Sequence, residues 1–336
     1  MIVFLATMSE ACNLNCSYCN VDKMSKKRID PDLFIAEFHK LRAANPDETI
    51  KIDFFGGEPL MQYDMVQYII EHLRDEPNTK FFMPTNGLLL TEDRIKFLRD
   101  NNVEISLSFD GLWQDKNRLQ HNDKGTLQRF IDKAELFRSV SGLRVHTMVQ
   151  RGCYNLLENH QFIKNTFGVN PELTLVRDVG TWSPHSVERV KQGITELFDW
   201  YCTNADVEEM PNFIKFYLQH IILYKVKKHE VKSCGAGEIH FSFSENQMTP
   251  CDRFKNKPDM VAAIPQFLEM EKCQTCEVRN YCKKGCLHEQ MLNGGPIDEL
   301  CVIYKHIYNE TFKMMSVLKG NPSFTSIVKK EIANEL

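Results

Sequence analysis

The chain lacks any run approaching the roughly 18 uninterrupted apolar residues of a membrane span. Its opening, Met1-Ile2-Val3-Phe4-Leu5, has neither the basic start nor the length of a signal peptide. Neither a spanning nor a secreted protein is expected, and the expected compartment is the cytoplasm. An excess of one charge is lacking too: 41 Lys and Arg against 45 Asp and Glu leave a formal net charge of −4. Such a balance exerts no general pull on nucleic acid or anionic lipid, so neither is an expected partner. No internal repeat or low-complexity segment interrupts the chain. What remains is a globular protein of 336 residues, 43% hydrophobic, long enough for one large core and a smaller satellite domain. It has 12 cysteines. In a reducing compartment these are not expected to form a disulfide framework, and ten of them fall into two motifs, which points to metal or cluster ligation.

Residues 2–8 read as a buried strand leading into the first cysteine motif. A helix follows, with Asp30 as N-cap, Pro31 at its first position, and Leu33, Phe34, Ile35, Phe38 and Leu41 on its apolar side. Strands are expected at 50–55, 80–84, 103–109, 143–149 and 173–176, alternating with helices near 63–75, 91–100, 125–140 and 155–167. Six strand-then-helix units imply an α/β fold with a parallel sheet and right-handed crossovers, either open and doubly wound or barrel-like. The polar and glycine signals (Gly56-Gly57-Glu58-Pro59, Thr85-Asn86-Gly87, Asp110-Gly111) sit at strand carboxyl ends, where both architectures build their sites. Beyond Val176, residues 185–228 read as helical with a break at Pro211. From Cys234 to Cys301 cysteines are dense and turns frequent, the composition of a small domain nucleated by metal. The expected organisation is a core at 1–182, a helical connector at 183–232, a cysteine-rich domain closed by a helix at 233–319, and a tail at 320–336.

Cys12, Cys16 and Cys19 form a C-x3-C-x2-C loop. Three thiolates on one short loop suit three irons of a [4Fe–4S] cube and leave the fourth iron open, whereas a zinc site wants four protein ligands, usually as two separated pairs. In Gly56-Gly57-Glu58-Pro59 the glycines let backbone approach a ligand, and the carboxylate can hold an ammonium group; alone, the run is equally a tight turn. Cys234, Cys251, Cys273, Cys276, Cys282, Cys286 and Cys301 give C-x16-C, then C-x2-C-x5-C-x3-C, then a last Cys. Cys153 and Cys202 lie outside both motifs and read as small buried hydrophobes.

The cysteine loop after the first strand together with GGEP after the second resembles the radical S-adenosylmethionine (SAM) superfamily, and the seven downstream cysteines resemble its SPASM extension. The resemblance covers most of the chain. It implies a partial (β/α)6 TIM-like barrel followed by a small iron–sulfur domain and a C-terminal helix. It also implies SAM as cofactor and three [4Fe–4S] clusters. One would sit on Cys12, Cys16 and Cys19, a nearer auxiliary one on Cys234, Cys251 and Cys286, and an outer one on Cys273, Cys276, Cys282 and Cys301. The GGEP turn would contact the methionyl amine, Tyr18 the adenine side, and Asn86, Ser108 and Asp110 the ribose and carboxylate of SAM. Asn and Asp are also default turn residues, so these last positions have a structural reading as well. Where eight-cysteine relatives carry a further ligand this chain has His240, either an imidazole ligand or a strand residue beside an iron left open or ligated from elsewhere. Asn246 stands where the family has glycine and tolerates the same left-handed backbone. Asp252 matches an aspartate proposed to take a substrate proton in sulfatase-maturing relatives; its bland alternative is an ion pair with Arg253.

The function implied is reductive cleavage of SAM to a 5′-deoxyadenosyl radical that takes hydrogen from a peptide or protein substrate, leading to a cross-link or an oxidised side chain. An external reductant such as flavodoxin or ferredoxin is required. Because the first strand begins at residue 2, a separate leader-peptide-binding protein or direct contact with the substrate is expected. Two other classes compete: radical modification of a small molecule such as a sugar or cofactor precursor, and a multi-cluster electron-transfer protein. The latter would account for many clusters but not for an open iron beside GGEP.

Overall fold

The computed structural model describes all residues except 22, 24–26, 229–233, 269 and 336. The expected boundary between connector and cysteine-rich domain, at 232/233, lies outside the described residues. The chain forms two compact units: residues Met1–Thr147, Ile163–Val169 and Gly235–Val261 make the first, and Met148–Phe162, Asn170–Cys234 and Ala262–Leu336 the second. No helix among the described residues is long and apolar enough to cross a membrane.

The first unit is built on β1 (Ile2–Thr7), β3 (Ile50–Phe55), β4 (Thr79–Thr85), β5 (Val103–Ser108) and the start of β7 (Arg144–Val149, its last two residues belonging to the second unit), with β2 (Leu14–Cys16) and β6 (Arg118–Gln120) forming a separate antiparallel ribbon. β1, β3, β4, β5 and β7 pair in parallel in that order, and helices alternate with them as the strand-then-helix pattern requires. Alternation sets the faces: Ile50, Ile52 and Phe54 of β3 are fully buried, while Lys51, Asp53 and Phe55 point to the opposite side. The buried side receives the helix Pro31–Ala44, whose Asp30 cap accepts from the Asp32 and Leu33 amides at 2.9 and 3.3 Å. Phe34 from that helix stacks on Phe4 of β1 with ring centroids 4.7 Å apart.

Two features depart from the expected pattern. The helix expected over 125–140 is divided into Leu127–Asp132 and Ala134–Arg138; at the break, Lys133 donates through Nζ to the carbonyls of Leu88 and Leu90 at 2.9 and 3.0 Å. The sheet also gains strands from far along the chain: β9 (His240–Ser244) pairs in parallel with β1, and β10 (Gln247–Thr249) folds back on β9. The hairpin between them turns at Glu245 and Asn246, both left-handed with φ of 49° and 62°, so Asn246 adopts the backbone that glycine usually supplies.

The second unit is mainly helical. Pro184–Asn204 opens with a Ser183–Ser186 capping box, and Asn212–Lys227 starts after Pro211, the expected break. β8 (Glu172–Leu175) continues to Val176, whose amide donates to the Val149 carbonyl at 2.9 Å. The long helix Asp298–Val317 packs against Pro184–Asn204, joined by His306 Nε2 to Thr195 Oγ1 at 2.9 Å. Residues 320–336, expected as a tail, carry the helix Pro322–Glu335, and its buried Glu331 meets Lys215 at 3.0 Å and Gln219 at 2.7 Å.

Candidate metal centre

β1 delivers the chain into the first cysteine loop, and the turn after β3 holds that loop in place. Gly57 N donates to Ser9 O at 2.8 Å, and Glu58 N to Ala11 O at 2.9 Å. A Cβ on Gly56 would collide with the Ser9 carbonyl, and one on Gly57 with the Ala11 and Glu10 carbonyls. The two glycines therefore serve the close approach of two backbones, the GGEP turn and the residues just before Cys12.

Glu58 is buried and works as a clasp. Its carboxylate accepts from Leu60 N at 3.1 Å, Thr85 Oγ1 at 2.6 Å and Asn86 N at 2.7 Å, tying the end of β3 to the end of β4. Burial raises its pKa, and these donors oppose the rise. Pro59 begins a short 3-10 turn for which Glu58 is the cap. Asn86 faces the same loop: its Nδ2 donates to Asn13 Oδ1 at 2.6 Å and lies 4.0 Å from Cys12 Sγ.

At the next strand end, Ser108 is half-buried and Asp110 fully buried. Asp110 accepts from Tyr18 Oη at 2.9 Å and Asn117 Nδ2 at 2.9 Å, and pairs with Arg118 Nε at 3.3 Å. Arg118 stands opposite Cys16 in the β2–β6 ribbon, 4.0 Å from its sulfur, with its guanidinium 5.5 Å from the Tyr18 ring centroid. Sequence reasoning missed Arg118. It lies in a short polar ribbon strand with no periodic signal, and only its pairing with the cysteine loop reveals it.

The thiols are shaped for a group that replaces their protons. Burial pushes Cys12 up to about 12 and raises Cys16 as well, so each is a neutral thiol until a metal takes the proton's place. Donors already face the sulfurs: Leu14 N is 3.4 Å from Cys12 Sγ, and Arg118 approaches Cys16. Cys19 is exposed. Three thiols on one loop, with N–H groups directed at sulfur, fit an iron–sulfur group and leave room for a non-protein ligand.

Asp252 also belongs to this unit. It follows Cys251 in a short 3-10 turn, and Thr7 Oγ1 at the end of β1 donates to its Oδ1 at 3.1 Å. Thr7 in turn lies 3.3 Å from Ser242 of β9. Arg253 faces Asn20, with Nη1 3.1 Å from the amide. The neighbouring Lys255 reaches Glu10 at 2.7 Å and Glu245 at 3.1 Å, binding this turn to the approach to Cys12. His240 lies opposite Val3 on β9; its Nε2 is buried without a partner, and burial lowers its pKa.

A second set of thiols belongs to the second unit. Cys273, Cys276, Cys282, Cys286 and Cys301 line one cavity of ≈ 240 Å³, closed on its apolar side by Val278, Ile297 and Leu300. Burial raises Cys273 and pushes Cys282 and Cys301 to about 11. Lys284 N lies 3.3 Å from Cys282 Sγ. Among the described residues no three Cys, His, Asp or Glu side chains meet on a single-ion position; the sulfurs line a volume instead. Cys234 is exposed and belongs to the second unit, as does Cys286, whereas Cys251 lies in the first.

Comparison with known proteins agrees with this geometry. Residues 7–150 match the family described as the Radical SAM superfamily. The radical SAM cyclopropyl synthase TigE of Paramaledivibacter caminithermalis is 21% identical over 319 residues, covering 83% of this chain and 66% of that protein. A cysteine-type anaerobic sulfatase-maturating enzyme of Clostridium novyi is 22% identical over 372 residues, covering 97% of this chain and 96% of the enzyme. The chain thus spans just under two thirds of the first relative and nearly all of the second. Among solved structures, anSMEcpe with bound AdoMet and Cp18Cys peptide superposes with a TM-score of 0.73 at 17% identity over 99% of both chains, which shows a shared fold. Residues 7–150, somewhat under half of the chain, are thus similar to the radical SAM superfamily.

Proposed function

We propose that the protein is a radical SAM enzyme that modifies a peptide or protein side chain. One observation carries this reading: a cysteine-lined cavity in the second unit accompanies a three-cysteine loop clasped to the GGEP turn in the first. An electron carrier has no use for the clasped turn, and the overall fold is that of an enzyme solved with a peptide.

Cys12, Cys16 and Cys19 would hold a [4Fe–4S] cluster, which together with SAM would supply radical hydrogen abstraction from the substrate. The chain's own residues do the positioning. Gly56, Gly57, Glu58 and Pro59 would present backbone to the methionyl amine, and Asn86 and Ser108 would serve the ribose and carboxylate. Asp110 acts at one remove, orienting Tyr18 and Arg118. Asp252, whose Oδ1 accepts from Thr7 at the carboxyl end of β1, would accept a substrate proton. Cys273, Cys276, Cys282 and Cys301 would hold an outer auxiliary cluster, and Cys286, on the same cavity, would serve a nearer one. The enzyme would act in the cytoplasm with a flavodoxin- or ferredoxin-type reductant, and with a separate leader-binding protein where the substrate has a leader.

The test is anaerobic reconstitution followed by reduction with SAM, with 5′-deoxyadenosine and substrate mass read by mass spectrometry. Cysteine-containing peptides are the first substrates to offer. Formation of 5′-deoxyadenosine with a peptide losing two hydrogens supports the proposal; intact clusters that never cleave SAM refute it.

A further inference from the structure

The guanidinium nearest each set of thiols is compensated differently. In the first unit Arg118 Nε is 3.3 Å from the fully buried Asp110 carboxylate, the buried Glu58 carboxyl stands on the Cys12 side, and Lys23 Nζ donates to the Cys16 carbonyl at 2.9 Å. The second unit differs. Arg177, two residues beyond the end of β8, has its Nε buried without a partner. Around its guanidinium stand the Tyr304 and Tyr217 hydroxyls and the Cys286 sulfur. Lys283, between Cys282 and Cys286 in sequence, places its Nζ 4.9 Å from the Phe216 ring centroid and feels the Arg177 charge.

Among the described residues no carboxylate pairs with Arg177 or Lys283. Glu289, from the helix after Cys286, is engaged by His288 Nδ1 at 2.9 Å and Val179 N at 3.1 Å. A partly buried guanidinium with an orphaned buried N–H calls for an anion. Besides the two phenols, the acidic group beside it is the Cys286 thiol, and a cube ligated by thiolates carries net negative charge.

We propose that Arg177, assisted by Lys283, is the counter-charge of the auxiliary iron–sulfur centre bound through Cys286 and raises its reduction potential. Potentials of such clusters follow net local charge and hydrogen bonding to sulfur, so an uncompensated cation favours the reduced form. Arg177 is thereby a positioning residue for electrons rather than a substrate ligand. This inference rests on reading the downstream cysteines as cluster ligands.

The experiment is an EPR-monitored redox titration of the reconstituted full chain carrying Cys12→Ala, Cys16→Ala and Cys19→Ala, which leaves only the auxiliary centres. In that background Arg177→Gln should shift a midpoint potential to a more negative value at unchanged iron and sulfide content, Lys283→Gln should shift it the same way by less, and Arg177→Lys should retain most of the parent value. An unchanged potential in Arg177→Gln overturns the proposal, as does an equal shift in Arg177→Lys, which would assign the effect to shape. Unchanged potentials with weakened peptide binding in the enzyme that retains Cys12, Cys16 and Cys19 would make Arg177 a substrate-carboxylate site and overturn it too. Absence of iron and sulfide from the parent triple variant would instead remove the underlying cluster reading.

Discussion

Cys16 and Arg118 are register partners across the β2–β6 ribbon, and the Arg118 guanidinium stands 4.0 Å from the Cys16 sulfur while pairing with buried Asp110. The cysteine loop is thus anchored by an ion pair from which water is excluded. Removing only the cation leaves the buried Asp110 carboxyl without its ion-pair partner, so Arg118→Gln should destabilise the apo-protein by about 3–5 kcal/mol. Tyr18→Phe, which loses one hydrogen bond to the same carboxylate, should cost about 1 kcal/mol. Urea denaturation of the two variants measures both; near-equal losses would contradict the ion-pair account.

Glu58 accepts three hydrogen bonds from two neighbouring strand ends. Glu58→Gln keeps the shape but turns an amide N–H₂ toward a donor, leaving buried polar groups unpaired. A loss of about 1–3 kcal/mol is expected, together with weaker SAM binding by the reconstituted protein, measured by equilibrium dialysis. Wild-type stability in this variant would show that the clasp is not needed.

Gly57→Ala forces a methyl group into the Ala11 and Glu10 carbonyls. Moving that backbone should cost about 1–3 kcal/mol and lower the iron bound after reconstitution, because the displaced segment leads directly into Cys12. Colorimetric iron analysis beside a thermal melt separates the two effects.

His220 is buried against Tyr308 at 3.0 Å, and burial lowers its pKa from 6.5 to about 3. The unfolded chain therefore binds the proton first as pH falls below 6.5, and folded-state stability declines in the window from 6.5 toward 3. The expected slope is up to about 1.4 kcal/mol per pH unit from this one side chain. His220→Gln should flatten the acid limb of a plot of unfolding free energy against pH; an unchanged limb would place the acid sensitivity elsewhere.

The two cysteine sets should separate in function. Cys16→Ala should abolish SAM cleavage, whereas Cys276→Ala should retain cleavage, lose product formation and bind about four fewer irons of about twelve. Product analysis with iron counting on the same samples checks it.

Local signals were readable in the sequence to the extent that they are local. Asp30 and Pro31 start their helix, Pro211 separates two more, and the alternation of Ile50, Ile52 and Phe54 sets the faces of β3. The GGEP turn and the cysteine loop were visible as motifs, but not the reason for their glycines, which depends on carbonyls forty-odd residues earlier. Arg118 and Thr7 escaped notice for the same cause: each acts through a partner brought near only by folding. Residues 322–335 carry too weak an apolar stripe to announce a helix, and it is the packing around Glu331 that holds them in place.

The pairing of β1 with β9 also has a kinetic consequence. β1 is synthesised long before β9, so one of its two edges stays bare until His240–Ser244 has been made. Contacts so distant in sequence close late and slowly, and an uncovered strand edge is an invitation to mispairing in the interval. The Lys255 bridges to Glu10 and Glu245 form only with that same late segment. Assembly of the Cys12–Cys19 centre should accordingly be post-translational, with iron entering a chain whose last edge strand has already docked.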